Sequence, residues 1–199
     1  MTTFLLLRHG QVDAIGRYLA GRTPGEHLNA LGRQQVEELA WRLRDVAVNA
    51  IISSPLERTV ETAKPLARDR GLEVELMDEF IEVDLGAWTL KPFVELDADE
   101  GWRRYNLNRS TSRAPGGESM FEVQQRAVRG LFSLVRRYPD GRVIVVSHGD
   151  VLRSMLLYAL GIPIDFFHRL DPLPAKVHVV ELGDGLMPRV LVVNGDGPP

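Results

Sequence analysis

The sequence predicts an α/β protein, a three-layer α/β/α sandwich built on a mostly parallel central sheet. Two observations carry that expectation. Phe4-Leu5-Leu6-Leu7 and Val143-Ile144-Val145-Val146 are aliphatic runs of strand length with no polar alternation, as expected of strands buried on both faces. Each closes in the same way, on Arg8-His9-Gly10 and on Ser147-His148-Gly149. Segments of helical spacing alternate with short strand-like runs along the rest of the chain, the order that builds a parallel sheet with helices on its faces. Ligands of such sheets sit beyond the carboxyl ends of the strands. If both runs lie near the middle of one sheet, His9 and His148 meet in one pocket.

The elements follow in order. Residues 3–8 read as the first strand. A loop containing Gly21-Arg22-Thr23-Pro24-Gly25 comes next, and loops of this length at strand ends tend to be functional. Residues 29–47 read as a helix capped by Asn29, with Leu31, Val36, Leu39, Leu43 and Val46 on one face. Ala50–Ser53 reads as a second buried strand. Ser54-Pro55-Leu56-Glu57 then has the pattern of a capping box with proline at the first helical position, which puts Arg58 in the first turn. Pro65 is expected to kink or end that helix. Residues 72–76 read as a strand. Residues 84–118 read as a lid-like insertion or side wall, helical over 92–105 and a polar loop from 106. Ser119-Met120-Phe121-Glu122 is a second capping box, opening a helix to about Tyr138 with Phe121, Val128, Leu131, Phe132 and Val135 inward. After the strand at 142–147, a helix runs from His148 to about Gly161. Strands at 176–182 and 189–194 close the sheet around a turn at Gly183-Asp184-Gly185, and 195–199 reads as a disordered tail.

Composition limits the function classes. A length of 199 residues suits one domain, taken as 1–199, and 44% apolar residues suffice for a core. A net charge of -3 offers no broad electrostatic grip on nucleic acid. The absence of cysteine excludes disulfides, thiolate metal sites and cysteine nucleophiles. The first apolar run is too short for a signal peptide or a membrane span, and no other stretch is long enough. The expectation is a cytoplasmic protein with no membrane or nucleic-acid partner. The closing strands would leave an edge on which a homodimer could form.

Three strand ends therefore deliver Arg8 and His9, Arg58, and His148 to one edge. Two guanidiniums and two imidazoles around a helix start suit a dianion, and arginine forks match phosphate oxygens. A neutral imidazole nitrogen can attack phosphorus to give a phosphoenzyme, while neighbouring cations keep it unprotonated. Glu82, in the apolar stretch Phe80-Ile81-Glu82-Val83, is the candidate proton donor. The plainer readings are satisfied strand-end histidines, or a zinc site formed by both histidines with Glu82, although Arg8 would repel a cation. For Arg103, Arg104, Arg109 and Arg113 a solvated charged face is expected ahead of substrate steering. Trp88 reads as core, and His27, His168 and His178 as surface or structural.

These motifs resemble the histidine phosphatase superfamily, the phosphoglycerate-mutase-like enzymes. The resemblance runs in order through Arg8-His9-Gly10, Ser53-Ser54-Pro55-Leu56-Glu57-Arg58-Thr59, Glu82 with Gly86 and Trp88, Pro115-Gly116-Gly117-Glu118-Ser119 and Ser147-His148-Gly149. It implies His9 as the phosphorylated nucleophile, with Arg8, Arg58 and His148 on the phosphoryl oxygens and Glu82 as proton donor. It also implies no metal and no cofactor. Gln11 stands near the expected pocket rim. Specificity is placed in residues 11–27 and 84–118, with Gln11, Arg22, Thr23 and Glu118 as candidate substrate-binding residues; Glu118 serves either the pocket or the following helix start. The chain departs from the glycolytic mutases at Ile15, where those have an asparagine. It departs again at Leu90, where a glycine is often found. The resemblance thus favours a phosphatase of small phosphorylated metabolites over a phosphoglycerate mutase, or over a non-catalytic phosphate-binding protein.

Overall fold

A computed structural model describes residues 1–183 and 185–198. Its six strands are β1 (Thr2–Arg8), β2 (Ala50–Ser53), β3 (Val74–Leu76), β4 (Arg142–Ser147), β5 (Val177–Leu182) and β6 (Arg189–Gly195). They form one sheet in the order β3-β2-β4-β1-β5-β6. The pairs β3–β2, β2–β4 and β4–β1 are parallel, and β5 runs antiparallel to both its neighbours. The two aliphatic runs are thus adjacent, with Leu7 opposite Val146 and Arg8 opposite Ser147.

Alternation along the strands divides the core. Leu5, Leu7, Ile144 and Val146 face α1 (Ala30–Leu43) and α2 (Glu57–Arg68). Phe4, Leu6, Val143 and Val145 face α5 (Met120–Arg137) and α6 (Gly149–Leu160). Two helical layers therefore enclose the sheet, the predicted sandwich. Between β3 and α5 lie α3 (Phe93–Leu96) and α4 (Glu100–Leu107). Leu85, Trp88, Leu96, Tyr105 and Ala114 from this stretch are buried in the same core cluster as α5 and α6, so it forms a packed side wall. No helix among the described residues is long and apolar enough to cross a membrane.

Several local expectations are corrected. Helix α1 ends at Leu43, four residues early; Val46 packs on the core from beyond it, while Leu31 is half exposed. Asn29 does cap α1, accepting from Gly32 N at 2.9 Å. The capping box at Ser54 does not form: α2 begins at Glu57 after Leu56, with no side-chain cap, because the Ser54 hydroxyl has a tertiary partner. Pro65 neither ends nor interrupts α2, since burial of Leu66 and Ala67 against the sheet holds the last turn despite the missing donor. The Ser119 box is complete, but α5 turns Met120, Val123, Ala127, Leu131 and Leu134 inward and leaves Phe121 exposed. Leu90 adopts φ +65°, the conformation that favours glycine. At the carboxyl end, Gly195 closes β6 and Asp196 pairs with Lys176 at 2.6 Å, so the tail is ordered there. Asp184 of the expected turn and Pro199 lie outside the described residues.

Candidate active site

The site forms where β1, β4 and β2 end side by side. His9 follows β1 and its backbone N–H donates to Ser147 O at 3.0 Å, in effect one more rung of the β1–β4 ladder. Gly10 then turns away beneath α1. A β-carbon on Gly10 would lie 2.8 Å from Gly32 O, and one on Gly32 would lie 2.1 Å from Gln11 O, so two glycines let the helix clamp this loop. The Gly10 N–H donates to Thr62 Oγ1 on α2 at 3.1 Å.

The two imidazoles lie edge to face with centroids 5.3 Å apart. His9 Nδ1 is 2.8 Å from Gly10 O. A carbonyl only accepts, so Nδ1 carries the hydrogen and Nε2 holds a free lone pair. Burial first, then the Arg58 and Arg8 charges, hold the His9 pKa well below its usual value, so the ring is neutral. His148 is fully buried and is held low in the same way, by burial and then by Arg58 and His9. Its Nε2 lies 2.7 Å from Ser54 Oγ.

Arg8, His9, Arg58, Glu82 and Asp150 line one cleft. Arg8 spends Nη1 on Pro172 O, and Arg58 spends Nη2 on Gly21 O. On these site residues three buried nitrogens are left without a partner: Arg8 Nε, Arg58 Nη1 and His148 Nδ1. Glu82 Oε2 stands 3.9 Å from His148 Nδ1. Burial, then the nearby Asp150 charge, raise the Glu82 pKa from 4.5 to about 7 against the opposing pull of Arg58 and Arg8. Near neutrality this carboxyl holds its proton in a substantial fraction of molecules.

The candidate substrate-binding residues are placed differently. Gln11, Arg22, Thr23 and Glu118 lie outside the lining of the cleft, as does His148, which sits behind it against Ser54. Arg22 donates from Nε to Glu82 O at 2.7 Å and from Nη2 to Glu118 Oε2 at 2.8 Å. Glu118 also accepts from Asp84 N at 3.0 Å and from Arg126, which itself donates to Glu82 O at 3.2 Å. Glu118 is therefore the hub of a brace around the Glu82 backbone. The role of Ser54 was hidden by its resemblance to a helix cap. Asp150 had a signal in its place two residues after His148, yet read only as the start of a helix. Arg109 is buried, stacked between Tyr105 and Phe167 rather than solvated, while Arg103, Arg104 and Arg113 are exposed. Trp88 and His178 are buried and His27 is exposed beside Glu61, as expected. Among the described residues, no three His, Asp or Glu side chains converge as a metal-ligand set.

Two neutral imidazoles, two guanidiniums with free donors and a protonatable carboxyl at the central strand ends of a mostly parallel sheet are groups that can hold a phosphoryl group and exchange a proton with it. Comparison with known proteins narrows this. Residues 4–195 match the histidine phosphatase superfamily (branch 1), and the chain belongs to that family. It is 34% identical over 200 residues to the bifunctional protein Rv2228c of Mycobacterium tuberculosis, covering 98% of this chain and 54% of that protein; the chain thus spans about half of that relative's length. A Salmonella choleraesuis protein named "Probable phosphoglycerate mutase GpmB" is 33% identical over 166 residues, 82% of this chain and 77% of its own. Among solved structures, Bacillus stearothermophilus YhfR superposes with a TM-score of 0.91 at 27% identity, covering 98% of each chain. The mycobacterial glucosyl-3-phosphoglycerate phosphatase Rv2419c gives 0.86 at 27% identity, covering 97% of this chain and 98% of that one.

Proposed function

We propose that this chain hydrolyses phosphomonoesters of small metabolites through a phosphohistidine on His9, without a metal or a cofactor. The observation that carries the reading is a set of three partnerless buried nitrogens: Arg8 Nε and Arg58 Nη1, whose residues line the cleft with His9 and Glu82, and His148 Nδ1, which lies 3.9 Å from Glu82 Oε2 in a ring 5.3 Å from that of His9. Buried polar groups left unpaired are costly, and a phosphoryl group supplies the acceptors that all three lack. His148 donates from Nδ1 when its Nε2 accepts the Ser54 hydroxyl proton, and the 2.7 Å contact permits that tautomer.

In the first step the His9 Nε2 lone pair attacks phosphorus and the P–O ester bond breaks. The departing alcohol oxygen takes the Glu82 proton. The arginines and His148 stabilise charge gathering on the equatorial oxygens. In the second step Glu82, now a carboxylate, takes a proton from water as that water attacks phosphorus. The P–N bond breaks, inorganic phosphate leaves and Glu82 is protonated again. The resemblance to a named phosphatase of similar fold supports hydrolysis. The 33% identity to a protein named as a phosphoglycerate mutase supports a second reading, in which the same phosphohistidine passes its group to a sugar acid.

His9→Ala is expected to abolish turnover while leaving the thermal transition in place. A phosphorus NMR time course in EDTA, with 3-phosphoglycerate and a trace of 2,3-bisphosphoglycerate in one tube and an aryl phosphate in another, separates the readings. Inorganic phosphate growing in either tube supports hydrolysis; 2-phosphoglycerate without inorganic phosphate supports the mutase.

A further inference from the structure

We infer that the substrate of this site is the phosphomonoester of an uncharged, largely apolar alcohol that carries no second anionic group. The inference rests on the hydrolase reading above and concerns the half of the cleft where the leaving alcohol must lie.

The cleft is about 170 Å³ and its lining combines two chemistries. His9, Arg8, Arg58 and Glu82 supply the polar part. Ile15, Tyr18, Leu19, Ala20, Leu85 and Phe93 supply an apolar wall. Among the described residues, Arg8 and Arg58 are the only Lys or Arg side chains in the lining. Each already holds one carbonyl, Pro172 O and Gly21 O, and each keeps one buried unpaired nitrogen, Arg8 Nε and Arg58 Nη1, which the phosphoryl group would take in the reading above. Arg22, close by in sequence, is bound by Glu118 and the Glu82 carbonyl. Arg17 and Lys91, in the segments that build the wall, lie outside the lining. The Tyr18 hydroxyl donates to Glu26 Oε1 at 2.6 Å and is spoken for. The remaining charged group in the lining is Asp150, an acid whose Oδ1 already accepts from Arg153 Nη1 at 3.1 Å.

A carboxylate or second phosphate on the alcohol would therefore face apolar side chains without a cationic partner of its own. The wall is also fixed in place. Leu19 N donates to Lys91 O at 3.1 Å, Leu90 N to Leu19 O at 2.7 Å and Phe93 N to Arg17 O at 3.1 Å. Main-chain bonds thus tie residues 17–19 to 90–93 and hold the apolar surface against the site.

The test uses paired esters whose leaving alcohols differ little in basicity, with the wild-type enzyme in EDTA and phosphate release as the readout. The first pair is 3-phosphoglycerate and its carboxyl methyl ester, which differ in one charge. The second is n-butyl phosphate and glycerol 1-phosphate, which differ in polarity. The methyl ester is expected to exceed the acid in kcat/KM by roughly a hundredfold, the scale set by one carboxylate left without a partner. Butyl phosphate is expected to exceed glycerol 1-phosphate by about tenfold. Leu19→Lys is expected to narrow the first ratio by supplying a cation; should that variant not fold, the wild-type ratios decide. An acid that reacts as well as its ester, or glycerol 1-phosphate as well as butyl phosphate, overturns the substrate class and leaves the hydrolase standing. No phosphate from any of the four, with no acid-labile phosphohistidine trapped, overturns both.

Discussion

Replacing Glu82 by glutamine should make this protein more stable while removing its chemistry. The side chain is 15% exposed and its pKa is carried from 4.5 up to about 7, chiefly by burial and then by Asp150. At ~1.4 kcal/mol per pH unit this corresponds to roughly 3 kcal/mol of native-state cost once the group is charged. The sign follows from proton counts. The unfolded carboxyl loses its proton near its ordinary value and the folded one near 7, so between those pH values the native state holds more protons. Wild-type stability therefore falls as pH rises across that window, and the loss is complete above it. Glutamine keeps the shape and never ionises. Glu82→Gln should match the wild type near pH 4 and exceed it by about 3 kcal/mol at pH 8, or roughly 6–12 °C in Tm for a chain of this size. Chemical denaturation in phosphate-free buffer at the two pH values measures the difference. Equal stability at pH 8, or a less stable variant, would refute the claim that this carboxyl is held protonated. The kinetic counterpart is a wild-type kcat/KM that falls as pH rises through about 7, as the proton donor is lost, with the low pKa of His9 leaving the nucleophile neutral on the acid side.

Three further outcomes are expected. Ser54→Ala removes the 2.7 Å bond to His148 Nε2 and with it the choice of tautomer; kcat/KM should fall about 10- to 100-fold, at a stability cost of about 1–2 kcal/mol, and the nitrogen-15 shifts of His148 should show mixed tautomers. Gly117→Ala should destabilise the fold by about 3 kcal/mol or more, because its new β-carbon would lie 2.2 Å from Asp84 O. At Gly116, with φ +73° and open space, the same change should cost about 1 kcal/mol in the same denaturation measurement.

The strand ends were legible because buried parallel strands leave an unbroken apolar signal, and the His-Gly endings stand out against it. The helix details were less so. Ser54 and Ser119 open nearly the same local pattern, yet only Ser119 caps its helix, since Ser54 meets an imidazole 94 residues away in sequence. Propensity and local spacing carry no record of such a partner. Phe121 is expected on the inward face, whereas the buried stripe follows Met120, Val123 and Ala127. Glu118 was weighed as a pocket group or a cap; its bonds to Arg22, Arg126 and Asp84 depend on three segments meeting in space. The same holds for Arg109, a cation whose aromatic partners come from two separate elements.

The bonds between residues 17–19 and 90–93 have a consequence for how such a site diversifies. They run from amide to carbonyl, and all but proline can make them. Side chains at Leu19 or Phe93 can therefore be exchanged without unfastening the seam that presents them. The phosphoryl end is rigidly prescribed, since its polar groups are either tied to fixed neighbours or left unpaired for the phosphoryl oxygens. The alcohol end works more like an interchangeable die set in a fixed press: the frame keeps its shape while successive sequences recut the face that decides which ester is admitted.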